Sequence, residues 1–102
     1  MSSDVVCLNV GGRPMMTTRT TLTKYGDSLL GKMFDAESSE APPIRLEDGA
    51  YFIDEDPEVF GVILNWLRYG SLDRKSASKL QLRTAARRYE LHDLVETLSI
   101  DF

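Results

Sequence analysis

The sequence has little of what catalysis and metal binding require. Its 102 residues include one cysteine and one histidine, whereas a zinc site, or a nucleophile with its base, needs several such side chains together. His92 stands between Leu91 and Asp93, where a partly exposed structural residue at a helix start is typical. Cys7 stands among β-branched residues, which is typical of a small buried hydrophobe. We therefore expect no enzyme activity, no metal and no cofactor.

A basic excess and a long apolar run are missing too. Lys and Arg number 12 against 16 Asp and Glu, for a formal net charge of -4, and this balance argues against nucleic acid because phosphates bind clustered cations. No stretch approaches the ~18 to 20 apolar residues that span a bilayer, and the N-terminus has no apolar signal segment. One cysteine cannot form an internal disulfide. The expected setting is cytoplasmic, without direct membrane contact.

What is present has the composition of one folded domain. Hydrophobic residues make up 42% and charged residues 27% of the chain, which is ordinary for a globular protein. Neither a repeat nor a linker divides the sequence, so we expect a single domain over residues 1–102. A chain of this length supports only a modest hydrophobic core, and self-association would be a natural supplement.

Short β-branched and aromatic runs predict the strands. Val5–Val10 reads as a strand, Gly11-Gly12 as a tight turn and Met15–Thr18 as a second strand. The two glycines lack the spacing and the Gly-Lys-Ser/Thr ending of a phosphate loop, so a turn with positive φ is the better interpretation. Tyr51–Ile53 predicts another strand.

The segment before Tyr51 is acidic and broken by two prolines. Only Ile44 and Leu46 alternate there, which indicates a loop around one short edge strand.

Capping residues and apolar periodicity predict the helices. Thr20 or Thr21 is placed to cap a short helical turn, and Asp27 to cap a second. The clearest helix begins with Asp56 as N-cap and ends at Gly70, with apolar residues at i, i+3, i+4 and i+7.

Two further helical patterns follow, one ending near Glu90 and one carrying Leu94, Val95 and Leu98. Strands come early and helices late, which predicts an α+β domain in which helices cover a small sheet. Trp66 lies near the edge of the apolar stripe of the long helix, so it packs inside or anchors a neighbouring subunit.

Four blocks in order then carry a family resemblance: LNVGG, TTRTTL, GAYFIDEDPEVF and ILNWLRYGSL, which begin at Leu8, Thr17, Gly49 and Ile63. Together they closely resemble the BTB/POZ domain of the potassium-channel tetramerization (T1) type, from about residue 5 to residue 98. The resemblance implies the BTB/POZ fold, a small mixed sheet flanked by a cluster of short helices. It also implies homo-oligomerization, with four or five subunits.

Two branches of that family share the pattern. One comprises the soluble potassium-channel tetramerization-domain-containing (KCTD) proteins, many of which are similar to cullin-3 ubiquitin-ligase substrate adaptors. The other comprises cytoplasmic tetramerization domains of voltage-gated potassium channels, of which many carry a His-Cys motif and a late Cys-Cys pair that this sequence lacks. The wording Tyr-Phe-Ile-Asp-x-Asp-Pro resembles the KCTD branch more. We therefore expect an adaptor domain excised from a longer protein, with the channel domain as the alternative.

The resemblance also suggests candidate site residues. Exposed charges beside the matched motifs suit a polar subunit contact, and the candidate oligomer-interface residues are Arg13, Arg19, Asp54, Glu55, Asp56, Asn65 and Arg68. Glu55 departs from the pattern, because the KCTD branch usually has a basic residue there. At a subunit contact this change of sign would alter or weaken assembly by like-charge repulsion.

Cullin docking on BTB domains tends to use an apolar anchor followed by an acid. Met33, Phe34 and Asp35 are the candidates here, while Ser38-Ser39-Glu40 offers no further apolar anchor. Met33 and Phe34 fit the hydrophobic core equally well.

Overall fold

The structure is a computed structural model that describes residues 4–37 and 42–100. Its elements in chain order are β1 Val5–Val10, β2 Arg13–Thr18, α1 Arg19–Leu22, α2 Leu29–Phe34, β3 Ile44–Arg45, β4 Tyr51–Ile53, α3 Pro57–Tyr69, α4 Lys79–Arg88 and α5 His92–Ile100. The strands form one mixed sheet in the order β2-β1-β4-β3. β1 is antiparallel to β2 and parallel to β4, and β3 is antiparallel to β4. The predicted α+β class, with a small sheet and several short helices, is confirmed.

The β1–β2 turn has the chemistry that its sequence predicts. Gly11 and Gly12 have φ values of +56° and +100°, which side chains with a Cβ rarely adopt. A Cβ on Gly11 would also lie 2.5 Å from the carbonyl oxygen of Glu55. The Gly11 amide donates to the carbonyl of Ile53 at 2.9 Å, so the turn is joined to the end of β4.

Hydroxyl caps start the two short helices, at positions slightly earlier or later than predicted. The Thr18 hydroxyl, and not Thr20 or Thr21, accepts from the backbone amide of Thr21 at 3.1 Å. The Ser28 hydroxyl caps α2 in place of Asp27. In each case the residue that caps the helix has an extended backbone and stands immediately before the first helical residue.

The long helix α3 begins and ends where predicted. The Asp56 carboxylate accepts from the amides of Glu58 and Val59 at 2.8 and 3.3 Å, and Gly70 ends the helix with a φ of +77°. Trp66 is buried and stacks on Tyr25 at 5.2 Å between ring centroids. Of the two roles open to Trp66, packing inside its own chain is the one observed.

Only one side of the sheet faces the helices. On β1 the buried side chains are Val6, Leu8 and Val10, which join the core, while Val5 and Cys7 point to the other side and are exposed. The expectation that Cys7 is a buried hydrophobe is therefore wrong, because its strand has a covered side and an open side. We call the open side the outer sheet face.

None of the helices in residues 4–37 and 42–100 combines the length and the apolar character needed to cross a membrane. The segment Ser38-Ser39-Glu40, considered for cullin docking, lies outside the described residues.

Candidate interaction surfaces

The first cluster of candidate residues lies between β2 and α3. Arg13 on β2 donates to the Glu58 carboxylate in the first turn of α3 at 2.9 Å, and both side chains are about half exposed. Arg13, Glu58 and Asn65 line one shallow groove together with Met15 and Gly61. Folding therefore brings two of the predicted interface residues, Arg13 and Asn65, to the same surface.

Arg68 lies at the other end of this surface and is held by two hydrogen bonds. Its guanidinium donates to the backbone carbonyl of Met16 at 2.7 Å and to the Asn65 amide oxygen at 3.0 Å. Because β2 is an edge strand, the backbone carbonyl of Met16 would otherwise face solvent at the sheet edge, and the Arg68 guanidinium binds it there. We call Arg13, Asn65 and Arg68, with the Glu58 partner, the β2–α3 surface.

The acidic turn before α3 is less uniform than its sequence indicates. Asp54 and Asp56 are exposed, as predicted for an interface. Glu55 is not, because only 10% of its side chain is accessible and its carboxylate pairs with the Arg88 guanidinium on α4. The expectation that Glu55 is exposed is therefore wrong, because the folded chain pairs its charge internally, while its place at a subunit contact stays a prediction.

This ion pair borders a buried phenol. Tyr89 is buried edge-to-face against Phe60, with 5.9 Å between ring centroids. Burial, reinforced by the negative charge of Glu55, raises the pKa of Tyr89 to about 12. The acidic turn is therefore coupled to the α3–α4 packing, and its residues have structural roles besides any contact with partners.

Arg19 stands apart from the other interface candidates. Its guanidinium donates to the carbonyl of Phe34 at the end of α2, and the side chain is half-buried. Arg19 and Asp35 line the same open cleft, along with Gly31. The structure thus places Arg19 beside the predicted docking residues and away from the β2–α3 surface.

The three docking candidates differ in accessibility. Phe34 is 1% exposed and packs edge-to-face on Tyr51 at 5.5 Å, so in this conformation it belongs to the core. Met33 is half-buried against the same core, and Asp35 is exposed at the end of α2. Met33 and Asp35 are therefore the candidates that a partner can reach.

The sequence reasoning missed an apolar groove on the outer sheet face. Residues of β1 and β2, among them the exposed Cys7 and Met16, line a groove of about 470 Å³ together with Asp48 from the turn before β4. The signal was present in the strand registers, since Cys7 pairs with Met16 and therefore shares its side of the sheet. Periodicity within one strand does not show which side is open.

Metal-ligating side chains do not converge in the part of the chain that the structure describes: residues 4–37 and 42–100 hold no group of three His, Cys, Asp or Glu placed to bind an ion. His92 is exposed at the first position of α5.

Comparison with known proteins points to one family. Residues 6–98 match a family model described as BTB/POZ domain. The human protein "BTB/POZ domain-containing protein KCTD21" is 42% identical over 98 residues, which cover 94% of this chain and 36% of that protein. Human "BTB/POZ domain-containing protein KCTD3" is 40% identical over 97 residues, covering 95% of this chain and 12% of that protein. Rat "SH3KBP1-binding protein 1" is 39% identical over 97 residues, covering 95% of this chain and 13% of that protein. The chain thus spans at most 36% of the length of these three relatives.

Proposed function

Because the chain belongs to the BTB/POZ domain family, of the potassium-channel tetramerization type and similar to the KCTD proteins, we propose that it assembles into a ring of four or five copies and recruits cullin-3. In this role the domain is the assembly module of a ubiquitin-ligase substrate adaptor. Domains of this family act in protein interaction and oligomerization, and the proposal adds the subunit number and the cullin partner. Substrate binding is assigned to parts of a longer protein outside residues 1–102.

The observation that carries the proposal is the β2–α3 surface. Arg13 and Arg68 are exposed, yet their guanidinium groups are already held by Glu58 and by the Met16 carbonyl. Charged side chains fixed before association lose less conformational entropy when a partner arrives. A polar, ordered surface of this kind suits a selective contact between subunits.

The acidic turn supplies the opposite sign. Asp54 and Asp56 are exposed in the turn before α3, whereas Arg13 lies on β2. A ring in which the acidic turn of one copy faces the arginines of the next copy is therefore electrostatically favourable. Glu55 stays outside this contact because it pairs with Arg88. Arg19 is assigned to the α2 cleft, beside the cullin candidates.

Self-assembly is tested by the native mass of the purified chain over a dilution series. We expect four or five copies at micromolar concentration, and the variant Arg68→Glu to shift the mass toward the monomer. Glu96→Lys reverses an exposed charge on α5 and is the matched control. A strict monomer at every concentration would remove self-assembly as the function.

Cullin recruitment is tested separately with the N-terminal region of cullin-3. We expect micromolar or tighter binding that Asp35→Arg weakens and Asp27→Arg does not, since both aspartates are exposed but, of the two, only Asp35 lines the cleft that Arg19 also lines. Absence of binding at micromolar concentrations would remove the ligase role and leave self-assembly standing.

Channel assembly is the alternative. The similarity to KCTD21 and KCTD3 favours the adaptor branch, and a pentamer would favour it further. A tetramer would strengthen the channel interpretation.

A further inference from the structure

Helix α4 concentrates positive charge in an acidic protein. Its sequence, KLQLRTAARR, has four basic residues and no acidic one, although the whole chain has a formal net charge of -4. Arg88 pairs with Glu55 in the acidic turn. The other three basic residues, Lys79, Arg83 and Arg87, follow one another at intervals of four residues, so they lie along one side of the helix. We call these three residues the α4 basic stripe.

The fold supplies no counter-charge to this stripe. Within residues 4–37 and 42–100, no side-chain hydrogen bond or ion pair joins Lys79, Arg83 or Arg87 to the rest of the protein. The Nε atom of Arg83 is buried there without a hydrogen-bond partner, which is rare for a buried polar atom. By contrast, an acceptor in the same chain holds each of Arg13, Arg19, Lys24, Arg68 and Arg88. Folding pairs these five cations and leaves the α4 basic stripe without partners.

Helix stability does not account for the stripe. Like charges four residues apart on a helix repel each other. Lys79 is also the first residue of α4, where the positive end of the helix dipole disfavours a cation and favours an acid. Lys79 and Arg83 are partly exposed and Arg87 is exposed, so a partner can reach all three. An arrangement that opposes the stability of the free chain in this way is typical of a functional surface.

The spacing of the stripe fits an extended acidic peptide. Four residues of a helix advance about 6 Å along its axis, and alternate side chains of an extended chain are about 6.6 Å apart. Acids at every second position of such a peptide therefore match cations at every fourth position of α4. Carboxylates form charge-assisted hydrogen bonds with guanidinium and ammonium groups, which are stronger than hydrogen bonds between neutral groups.

We propose that the α4 basic stripe is a docking surface for an acidic segment of another protein, bound in extended form with its acids at alternate positions. Each of Lys79, Arg83 and Arg87 contacts one carboxylate of that segment. Nucleic acid is also negative but fits less well, because a chain of net charge -4 repels a long polyanion beyond these three contacts. The stripe shares no residue with the β2–α3 surface, so the inference goes beyond the proposed self-assembly and does not rest on it.

Peptide binding tests the proposal directly. The probe is a fluorescein-labelled peptide in which three glutamates alternate with serines, and the control peptide has the same composition with its three glutamates in a row. Fluorescence anisotropy is followed over chain concentrations up to about 1 mM. We expect the alternating peptide to bind more tightly and to be released as the salt concentration rises. Equal affinities for the two peptides, or no binding of either, would overturn the proposal.

A charge reversal at the start of α4 locates the contact. Lys79→Glu removes one cation of the stripe and places an acid where the helix dipole favours it, so the domain should stay folded and lose no stability. This variant should bind the alternating peptide about fivefold more weakly, or weaker still. Arg83→Gln removes a second cation without adding a negative charge and should act in the same direction.

Lys24→Glu is the matched control, because it makes the same change in net charge at an exposed residue outside α4. It should change the affinity by about twofold at most. If Lys24→Glu and Lys79→Glu weaken binding equally, the peptide responds to the overall charge of the chain, and the docking surface is overturned.

Two further measurements separate the peptide from other occupants. The native mass of Lys79→Glu should equal that of the parent chain, and a shift in mass would assign the stripe to a contact between copies and overturn the proposal. Single-stranded oligothymidylate and vesicles containing phosphatidylserine should bind more weakly than the alternating peptide. Tighter binding of either one, lost in Lys79→Glu, would assign the stripe to nucleic acid or to a membrane and would equally overturn the proposal.

Discussion

Glu55 accepts a hydrogen bond from the guanidinium of Arg88, a residue 33 positions later in the chain. The pair joins the turn before α3 to the end of α4. The KCTD pattern usually has a basic residue at the position of Glu55. An acid fits there in this chain because Arg88 supplies the complementary charge. Glu55 is therefore a structural residue of this fold.

Reversing the charge at Glu55 should destabilise the domain. Glu55→Arg places two guanidinium groups together in a site where the side chain of Glu55 is 10% exposed, and we expect a loss of about 2 kcal/mol in the free energy of unfolding. The charge swap Glu55→Arg with Arg88→Glu should recover at least half of that loss. Urea denaturation measures both, and no recovery in the swap would show that the pair contributes nothing.

Asp56 and Asp54 are both exposed, yet only Asp56 caps a helix. Asp56→Ala leaves the amides of Glu58 and Val59 without their acceptor, and should cost about 1 to 2 kcal/mol of stability. Asp54→Ala should stay within about 0.5 kcal/mol. Thermal and urea unfolding of the two variants make the comparison, and equal losses would contradict the capping role.

The features that local chemistry determines could be predicted from the sequence. The glycine turn after β1 and the limits of α3 at Asp56 and Gly70 needed only the residues themselves. The caps of α1 and α2 were misplaced because several neighbouring Thr, Ser and Asp side chains are chemically able to cap. Which one does so depends on where the extended backbone ends.

What could not be predicted depends on contacts distant in sequence. Cys7 lies in an apolar strand, and its exposure follows from helices covering only one side of the sheet. The internal pairing of Glu55 needed the position of α4. The same holds for the candidate interface: Arg13, Asn65 and Arg68 converge only because β2 packs beside α3.

Gly31 and Gly61 are both helical glycines, but their surroundings predict opposite effects of a methyl group. A Cβ on Gly31 would lie 2.3 Å from the carbonyl oxygen of Tyr25, whereas one on Gly61 meets only the terminal methyl of Met15, at 3.9 Å. Gly31→Ala should therefore lower the free energy of unfolding by about 2 to 3 kcal/mol, and Gly61→Ala should raise it by about 0.5 to 1 kcal/mol. Urea denaturation of the two variants tests this by the shift in midpoint, provided that the slope of the transition is unchanged. A Gly31→Ala protein as stable as the parent would contradict the close approach of Gly31 to the Tyr25 carbonyl.

Tyr89 should make the domain sensitive to alkali. Its pKa is raised from 10.0 to about 12 in the folded chain, first by burial and then by the charge of Glu55. Below pH 10 the phenol is neutral in both states, so its contribution to stability is fully present there. As the pH rises from 10 toward 12 the unfolded chain releases this proton while the folded chain retains it, so stability falls.

The variant Tyr89→Phe isolates this effect from the ionisation of the other tyrosines. It keeps the ring that packs on Phe60 and removes the titrating hydroxyl. Unfolding free energies measured from neutral pH to pH 12 should fall less steeply for Tyr89→Phe than for the parent above pH 10, the ordinary pKa of a tyrosine. Glu55→Gln should make the loss above pH 10 smaller and end it at a lower pH, because without the carboxylate the folded-state pKa of Tyr89 lies closer to its ordinary value. Parallel curves for Tyr89→Phe and the parent would mean that the phenol ionises equally in both states, and that the burial of Tyr89 does not hold its proton.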